Sequence, residues 1–381
     1  MNGSLRSLRV LLALAAGLGP VTVVQATQFS YLDAAYQQEI YTGPLVGGPG
    51  MAWTSSGNLL TRDGSTLLEY SPTANGTHLG TSIHTVIATH IISGLLAPTT
   101  SSIGMVNGTD GYIYATTGGG LQRIDPTTWT ATTLVQLPFS VPGHYGITVL
   151  PDGRIVYVGG GGVNEIYVYD AVAMTNTLIY TAAGLIDDIQ ASPSGVIALA
   201  GQGLNNIVII DAAGNVLSTV NTLTYPDGLA FGYGAAANKL FSNDNQGTIT
   251  EYDFNPTYTA LLGTPITIAS GGSYGDLAAV GPDCSLYVSQ FFNNNYHGSA
   301  SFGTRWDDST VNNQPSIVRI SSRDGSCAFS TSGGNPTPVA EPGGVPLLAA
   351  GLALLAISRR RRAVTTATAG IAHLSIPRRL Q

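Results

Sequence analysis

GHYGITVLPDGRIVYVGGGGVNEIYVYD, residues 143–170, holds three short runs of β-branched and aromatic residues divided by two turns. Pro151-Asp152-Gly153 separates the first two runs and the glycine-rich 159–164 the second and third, both of them turn chemistry. A fourth run follows at 176–180, so the stretch reads as one antiparallel unit of four strands.

The unit recurs along the chain. A small or acidic residue before an apolar one opens a first strand at Gly50-Met51, Gly104-Met105, Gly146-Ile147, Asp188-Ile189, Gly228-Leu229 and Asp276-Leu277. An apolar residue followed by Asp or Ser closes the third strand at Tyr70-Ser71, Ile124-Asp125, Tyr169-Asp170, Ile210-Asp211, Tyr252-Asp253 and Ile320-Ser321. Self-similarity at roughly 40–50 residues with four strands per unit predicts a β-propeller, and six units predict six blades. A lone blade leaves both faces in water, so the blades must stack around an axis. The extended segment 38–42, ahead of the first blade, is expected to pair with the last one and close the ring, because closure removes exposed edges.

Composition agrees with an all-β body. Gly is 48 of 381 residues, hydrophobic residues are 44% and charged residues only 10%, against about 25% in an average domain. Between residues 27 and 338 there are seven basic and 21 acidic residues, a net −14, while the other eight arginines sit at the two ends. An acidic body repels phosphate backbones, which argues against a nucleic-acid partner.

Those ends read as targeting segments. Residues 1–26 run from Arg6 and Arg9 through the apolar 10–24 to Val24-Gln25-Ala26, the order of a secretory signal peptide cleaved after Ala26. Export gives the two cysteines a role. Cys284 and Cys327, both in the sixth repeat, are expected to form a disulfide in an oxidising compartment, where an even count signals bridging.

The propeller is expected to span 27–331 and to be followed by a linker, 332–338, rich in Gly and Pro. The segment 339–362 then carries Glu341-Pro342, the apolar run VPLLAAGLALLAI at 345–357, and four arginines at 359–362; an extension, 363–381, completes the chain. The apolar run is shorter than the ~20 residues of a full membrane span, and the arginines would hold its end on the cytoplasmic side. This order resembles the PEP-CTERM sorting tail, with Ala340 in place of that motif's first Pro. The resemblance implies an exported protein held briefly in the inner membrane by its C-terminal helix. It also implies cleavage near Glu341-Pro342 by an exosortase-type partner, and release to the cell surface or extracellular matrix.

One loop stands out. FFNNNYHGSASFGTRWDDSTVNNQP, 291–315, lies between the second and third strands of the sixth unit, and a loop that long inside a compact domain is usually functional. It is expected to overhang the mouth of the central channel beside His144, Asp187, Asp188, Asp227 and Asp276. His144, Tyr296 and Trp306 are the candidate binding residues, for stacking on and hydrogen-bonding to a polysaccharide. Asp188, Asp227 and Asp276 are the candidate metal ligands, since clustered carboxylates repel unless a cation or a raised pKa relieves them, and oxygen ligands suit Ca²⁺. The competing reading has each Asp capping the turn into its strand. Tyr225-Pro226-Asp227-Gly228-Leu229 is similar to the Pro-Asp-Gly metal-ligand segment of the gluconolactonase/regucalcin propellers. Gly48-Pro49-Gly50 is loosely similar to their Glu-Gly-Pro segment, with Gly48 where that family carries a ligand Glu.

No residue set reads as a complete catalytic constellation. Gly-x-Ser-x-Gly is absent, and 159–162 is glycine-rich but opens no helix and holds no Lys. His84 and His90 sit in an apolar stretch with no partner evident. Two functions follow: an exported, non-catalytic binding or structural module of the cell surface or polysaccharide matrix, or a calcium-dependent lactonase-type hydrolase or lyase using the channel aspartates.

Overall fold

The computed structural model of the protein describes residues 29–43, 45, 50–63, 66–78, 81–96, 104–117, 120–136, 146–159, 163–291 and 315–329. The signal-peptide, linker, sorting-tail and extension segments lie outside the described residues, as do His144, Tyr296 and Trp306. Among the described residues no helix is long and apolar enough to cross a membrane.

The described strands form six antiparallel sheets. Blade 1 comprises Met51–Trp53, Leu59–Asp63, Thr66–His78 and Thr81–Ile91, and blade 2 Met105–Asn107, Ile113–Thr117, Gly120–Asp125 and Thr130–Gln136. Blade 3 comprises Ile147–Val149, Ile155–Gly159, Glu165–Asp170 and Thr175–Thr181, and blade 4 Ile189–Ala191, Ile197–Gly201, Asn206–Ile210 and Val216–Asn221. Blade 5 comprises Pro226–Phe231, Lys239–Asp244, Ile249–Asp253 and Ile266–Ser270, with Tyr31–Leu32 added outside as a fifth strand. Blade 6 has three strands of its own, Tyr274–Val280, Leu286–Phe291 and Ser316–Ser322. Its fourth is Tyr36–Ile40, running antiparallel to Ser316–Ser322. The N-terminal segment therefore closes the ring, as the sequence predicts.

First strands begin one residue after the expected Gly or Asp in blades 1 to 4. In blades 5 and 6 they begin earlier, at Pro226 and Tyr274, because residues ahead of a register shift also pair: Pro226 with Asp244, and Tyr274 with Phe291. A bulge adds residues that a rule keyed to one small residue does not see.

The core is six apolar clusters, one in each joint between neighbouring blades. Strand alternation feeds two clusters from one strand. Ile197 and Leu199 face blade 3 while Ala198 and Ala200 face blade 5, and Leu59 faces blade 6 while Leu60 faces blade 2. Second strands such as Ile155–Gly159 and Ile197–Gly201 are buried on both faces, which is why they read as unbroken apolar runs rather than alternating ones.

Side chains stitch the joints. The Asn107 amide donates to Trp53 O at 2.7 Å and accepts from Trp53 N at 2.8 Å, tying blade 2 to blade 1. Thr148 Oγ1 accepts from Ala191 N at 2.9 Å, and Asn243 Nδ2 donates to Asp276 O at 2.8 Å and Ser289 O at 3.0 Å. At closure, Arg319 donates to Glu39 at 2.6 Å and pairs with Asp283 at 2.8 Å. His84, stacked on Tyr41 at 3.7 Å, contributes a second contact to Glu39 at 3.3 Å. Burial opposes charge on Glu39, yet these partners hold its carboxyl below the usual carboxylate range. His84 is thus part of the closure, and His90 has Glu69 at 2.8 Å and a stacked Trp129; sequence reading found no partner for either.

Cys284 and Cys327 are joined, with Cα atoms 5.1 Å apart, so the predicted bridge is present in blade 6.

Gly228 shows why small residues precede the inner strands. A Cβ there would lie 2.0 Å from Asp276 O and 2.6 Å from Ala278 N, where blade 5 meets the backbone of blade 6. Gly228→Ala should therefore lower stability by ~1–3 kcal/mol through overpacking. Gly263→Ala, with nothing within 4 Å, should stay within about 0.5 kcal/mol of wild type in the same urea titration.

Candidate functional site

Asp188 immediately precedes the inner strand of blade 4, while Asp227 and Asp276 lie within the inner strands of blades 5 and 6. Asp187 joins them, and all four are 2–6% exposed apart from Asp227, at 1%. The charges of Asp187, Asp188 and Asp276 all act on Asp227, so the carboxyls share one region.

Their individual contacts differ. Asp188 Oδ1 accepts from Ile189 N and Oδ2 from Leu229 N, each at 2.8 Å, so one carboxylate joins blade 4 to blade 5. Gln202 Nε2 donates to Asp187 Oδ2 at 2.7 Å and to Asp227 Oδ2 at 3.0 Å. The Asp187 and Asp227 carboxyls thus share one amide donor, and each acts on the other's ionisation. Asp227 Oδ1 is buried and takes no hydrogen bond, which disfavours its charged form.

Electrostatics points the same way. Burial pushes Asp187, Asp188 and Asp227 up from the usual carboxylate range, and like charge among them adds to it for Asp188 and Asp227. Asp276 is pushed up to about 8, first by burial and then by Asp187. Burial and mutual repulsion together favour the neutral form of these carboxyls.

The fit to Ca²⁺ is poor. That ion takes six to eight oxygen ligands at ~2.3–2.6 Å. Both Asp188 oxygens are already taken by backbone amides, and a Gln202 N–H points between Asp187 and Asp227. Among the described residues no group of three or more His, Cys, Asp or Glu is arranged to hold a metal ion. Asp188 in particular acts as a joint between blades, the strand-capping role that the sequence left open.

Three amides here escaped the sequence reading. Gln202 follows the second strand of blade 4, while Asn243 and Gln290 sit near the ends of the second strands of blades 5 and 6. Gln290 Nε2 donates to Asn243 Oδ1 at 2.7 Å, extending the polar network along the mouth. Asn243 and Gln290 share one position in successive repeats, which was an available signal, whereas Gln202 lies two residues further along its repeat.

No family model matches the chain, and no curated protein matches it. Solved structures do. One is an oxidoreductase of the glucose dehydrogenase type from Thermus thermophilus, 14% identical, covering 75% of this chain and 100% of that one, with a TM-score of 0.51. Another is the calcium-binding protein regucalcin from Agrobacterium tumefaciens, 16% identical, covering 75% and 94%, with a TM-score of 0.50. A virginiamycin B lyase from Staphylococcus aureus, 16% identical, covers 66% and 80% at 0.47. The likeness is one of fold. It matches the body to six-bladed propellers, among them enzymes, and at these identities carries no activity across.

The carboxyl cluster makes stability depend on pH. A carboxyl with a raised folded pKa is protonated in the native state while its unfolded counterpart ionises near ~4, so its contribution is complete below ~4 and is lost as pH rises through the folded value. With Asp276 at about 8, unfolding free energy should fall between pH 5 and pH 8. Asp276→Asn should flatten that decline by up to ~1.4 kcal/mol per pH unit, one proton's worth, in denaturant titrations across the range.

Proposed function

We propose that the chain is an exported β-propeller of the cell surface or polysaccharide matrix, acting as a non-catalytic binding and structural module. The observation that carries this reading is the use made of the channel carboxyls. Asp188 spends both oxygens on the amides of Ile189 and Leu229, while Asp187 and Asp227 each accept from Gln202. These groups are buried and serve the ring of blades, leaving no exposed acid, base or nucleophile among them. In this reading a polysaccharide is held at the mouth by His144, Tyr296 and Trp306, and an exosortase-type enzyme processes the tail.

A second reading, the calcium-dependent hydrolase or lyase, draws on Asp227 Oδ1, a buried oxygen without a fixed donor. It requires the buried carboxyls to ionise and Gln202 to turn its N–H away. Calorimetric titration of Ca²⁺ separates the two. The module reading expects no heat from wild type or from Asp227→Asn. Saturable heat in wild type that vanishes in Asp227→Asn would overturn it in favour of the metal site.

The targeting segments have their own test. Intact-mass measurement of protein from its native host should show a chain beginning near Thr27 and ending near Glu341. A mass that retains the arginines at 359–362 would reject sorting by cleavage and leave a plain anchor.

A further inference from the structure

A shallow groove of about 290 Å³ lies on blade 2, lined by Tyr112, Arg123, Asp125, Thr128, Thr130 and Thr132. It opens on the side of the sheet where Tyr112 and Tyr114 pack against Ile147 and Tyr157 of blade 3. Tyr112 lies in the turn between the first and second strands, Asp125 ends the third strand, and Thr128 lies in the turn that follows it. In a four-stranded blade both turns lie on the face opposite the connections between second and third strands, where Gln202 lies, so this groove is remote from the carboxyl cluster.

Its surface is ordered by strand pairing. Arg123 stands directly across from Thr132, and Asp125 across from Thr130. Thr128, Thr130 and Thr132 are exposed; Thr130 and Thr132, two apart on the fourth strand, lie on one side of it, and Thr128 lies in the turn just before them. The Arg123 guanidinium sits 4.3 Å from the centre of the Tyr112 ring. Lys239, Arg154 and Arg319 are all paired with carboxylates, whereas the described ion pairs leave Arg123 out. Asp125 is oriented by the backbone amides of Thr127 at 2.7 Å and Thr128 at 3.3 Å, and a carboxylate keeps lone pairs beyond those two bonds.

We propose that this groove is a binding subsite for a neutral saccharide. Arg123 would donate to ring or hydroxyl oxygens, Asp125 would accept from a pair of hydroxyls, the threonines would follow the chain, and the Tyr112–Arg123 stack would form its floor. A neutral ligand is favoured over an anionic one because Asp125 lies within the groove and the body from 27 to 338 carries 21 acidic against seven basic residues. The volume is close to the lower end of the ~300–1,000 Å³ typical of ligand pockets, suited to one short stretch of a polymer rather than a whole small molecule. The inference rests on the binding-module reading above but uses different residues on a different face.

Calorimetric titration of the full chain with maltohexaose, cellohexaose, laminarihexaose and oligogalacturonate tests it. Saturable binding of at least one neutral hexasaccharide is expected, weakened about tenfold or more by Arg123→Gln, Tyr112→Ala and Thr132→Val. Thr132→Val changes an exposed side chain of similar shape, so its melting temperature should match wild type and its loss of affinity cannot come from unfolding. Neutral binding left intact in all three variants would overturn the groove while leaving the module reading in place. Binding of oligogalacturonate alone would overturn the choice of a neutral ligand. No binding of any probe would overturn the subsite, with the calcium titration still deciding the wider reading independently.

Discussion

Blades arranged around an axis cannot share a hydrogen-bonded ladder with their neighbours, because each sheet presents a face rather than an edge to the next. Everything else in this molecule is arranged around that constraint. Apolar packing fills the joints, but it is non-directional and fixes neither the height nor the rotation of one blade on another. Direction comes from single polar side chains that reach across and bond to the next blade's backbone: Asn107 to Trp53, Thr148 to Ala191, Asp188 to Leu229, Asn243 to Asp276. A typical bond of this kind contributes ~0.5–1.5 kcal/mol net, but its loss leaves a buried amide unpaired at ~1–3 kcal/mol. The glycines beside these contacts, Gly146 and Gly228, are the steric counterpart, letting backbones approach closely enough for the side chains to reach.

The same constraint explains why carboxyls gather at the mouth of blades 4 to 6. Inner strands converge there, and Asp is short enough to accept from an amide in the adjoining blade. Four such groups in one dry region would be strongly destabilising if all were ionised. The Gln202 amide, and burial that favours the neutral form of the carboxyls, make the cluster tolerable. A group of acids that suggests metal chemistry in the sequence is therefore also explained by the mechanics of stacking sheets.

How much of this was legible follows from the range of each interaction. The six units, their turns and the closing N-terminal strand could be read because strand periodicity and turn residues are local. The disulfide was legible from an even cysteine count within one repeat. Strand starts in blades 5 and 6 were displaced by bulges, which depend on the partner strand rather than on the residues themselves. The clamp of Glu39, His84, Asp283 and Arg319 was invisible, since Glu39 and Arg319 lie 280 residues apart and nothing local marks them as partners. Gln202 fell between these cases. Its position was readable, but its role depends on where Asp187 and Asp227 are brought by two different blades.

The strand that seals blade 6 is made near the start of the body and its partner near the end. Gln37 meets Ser321 across 284 residues, an interval that at ~5–20 residues per second takes of order a quarter of a minute to a minute to synthesise. For that time the growing chain is an open spiral, with Tyr36–Ile40 lacking its partner strand and the apolar joint between blades 6 and 1 unfilled. Closure is then a single late event that joins the two extremities of the body and completes the last apolar joint in one step. A chain stopped anywhere before Ser316 has no means of reaching it, however well its earlier blades have formed.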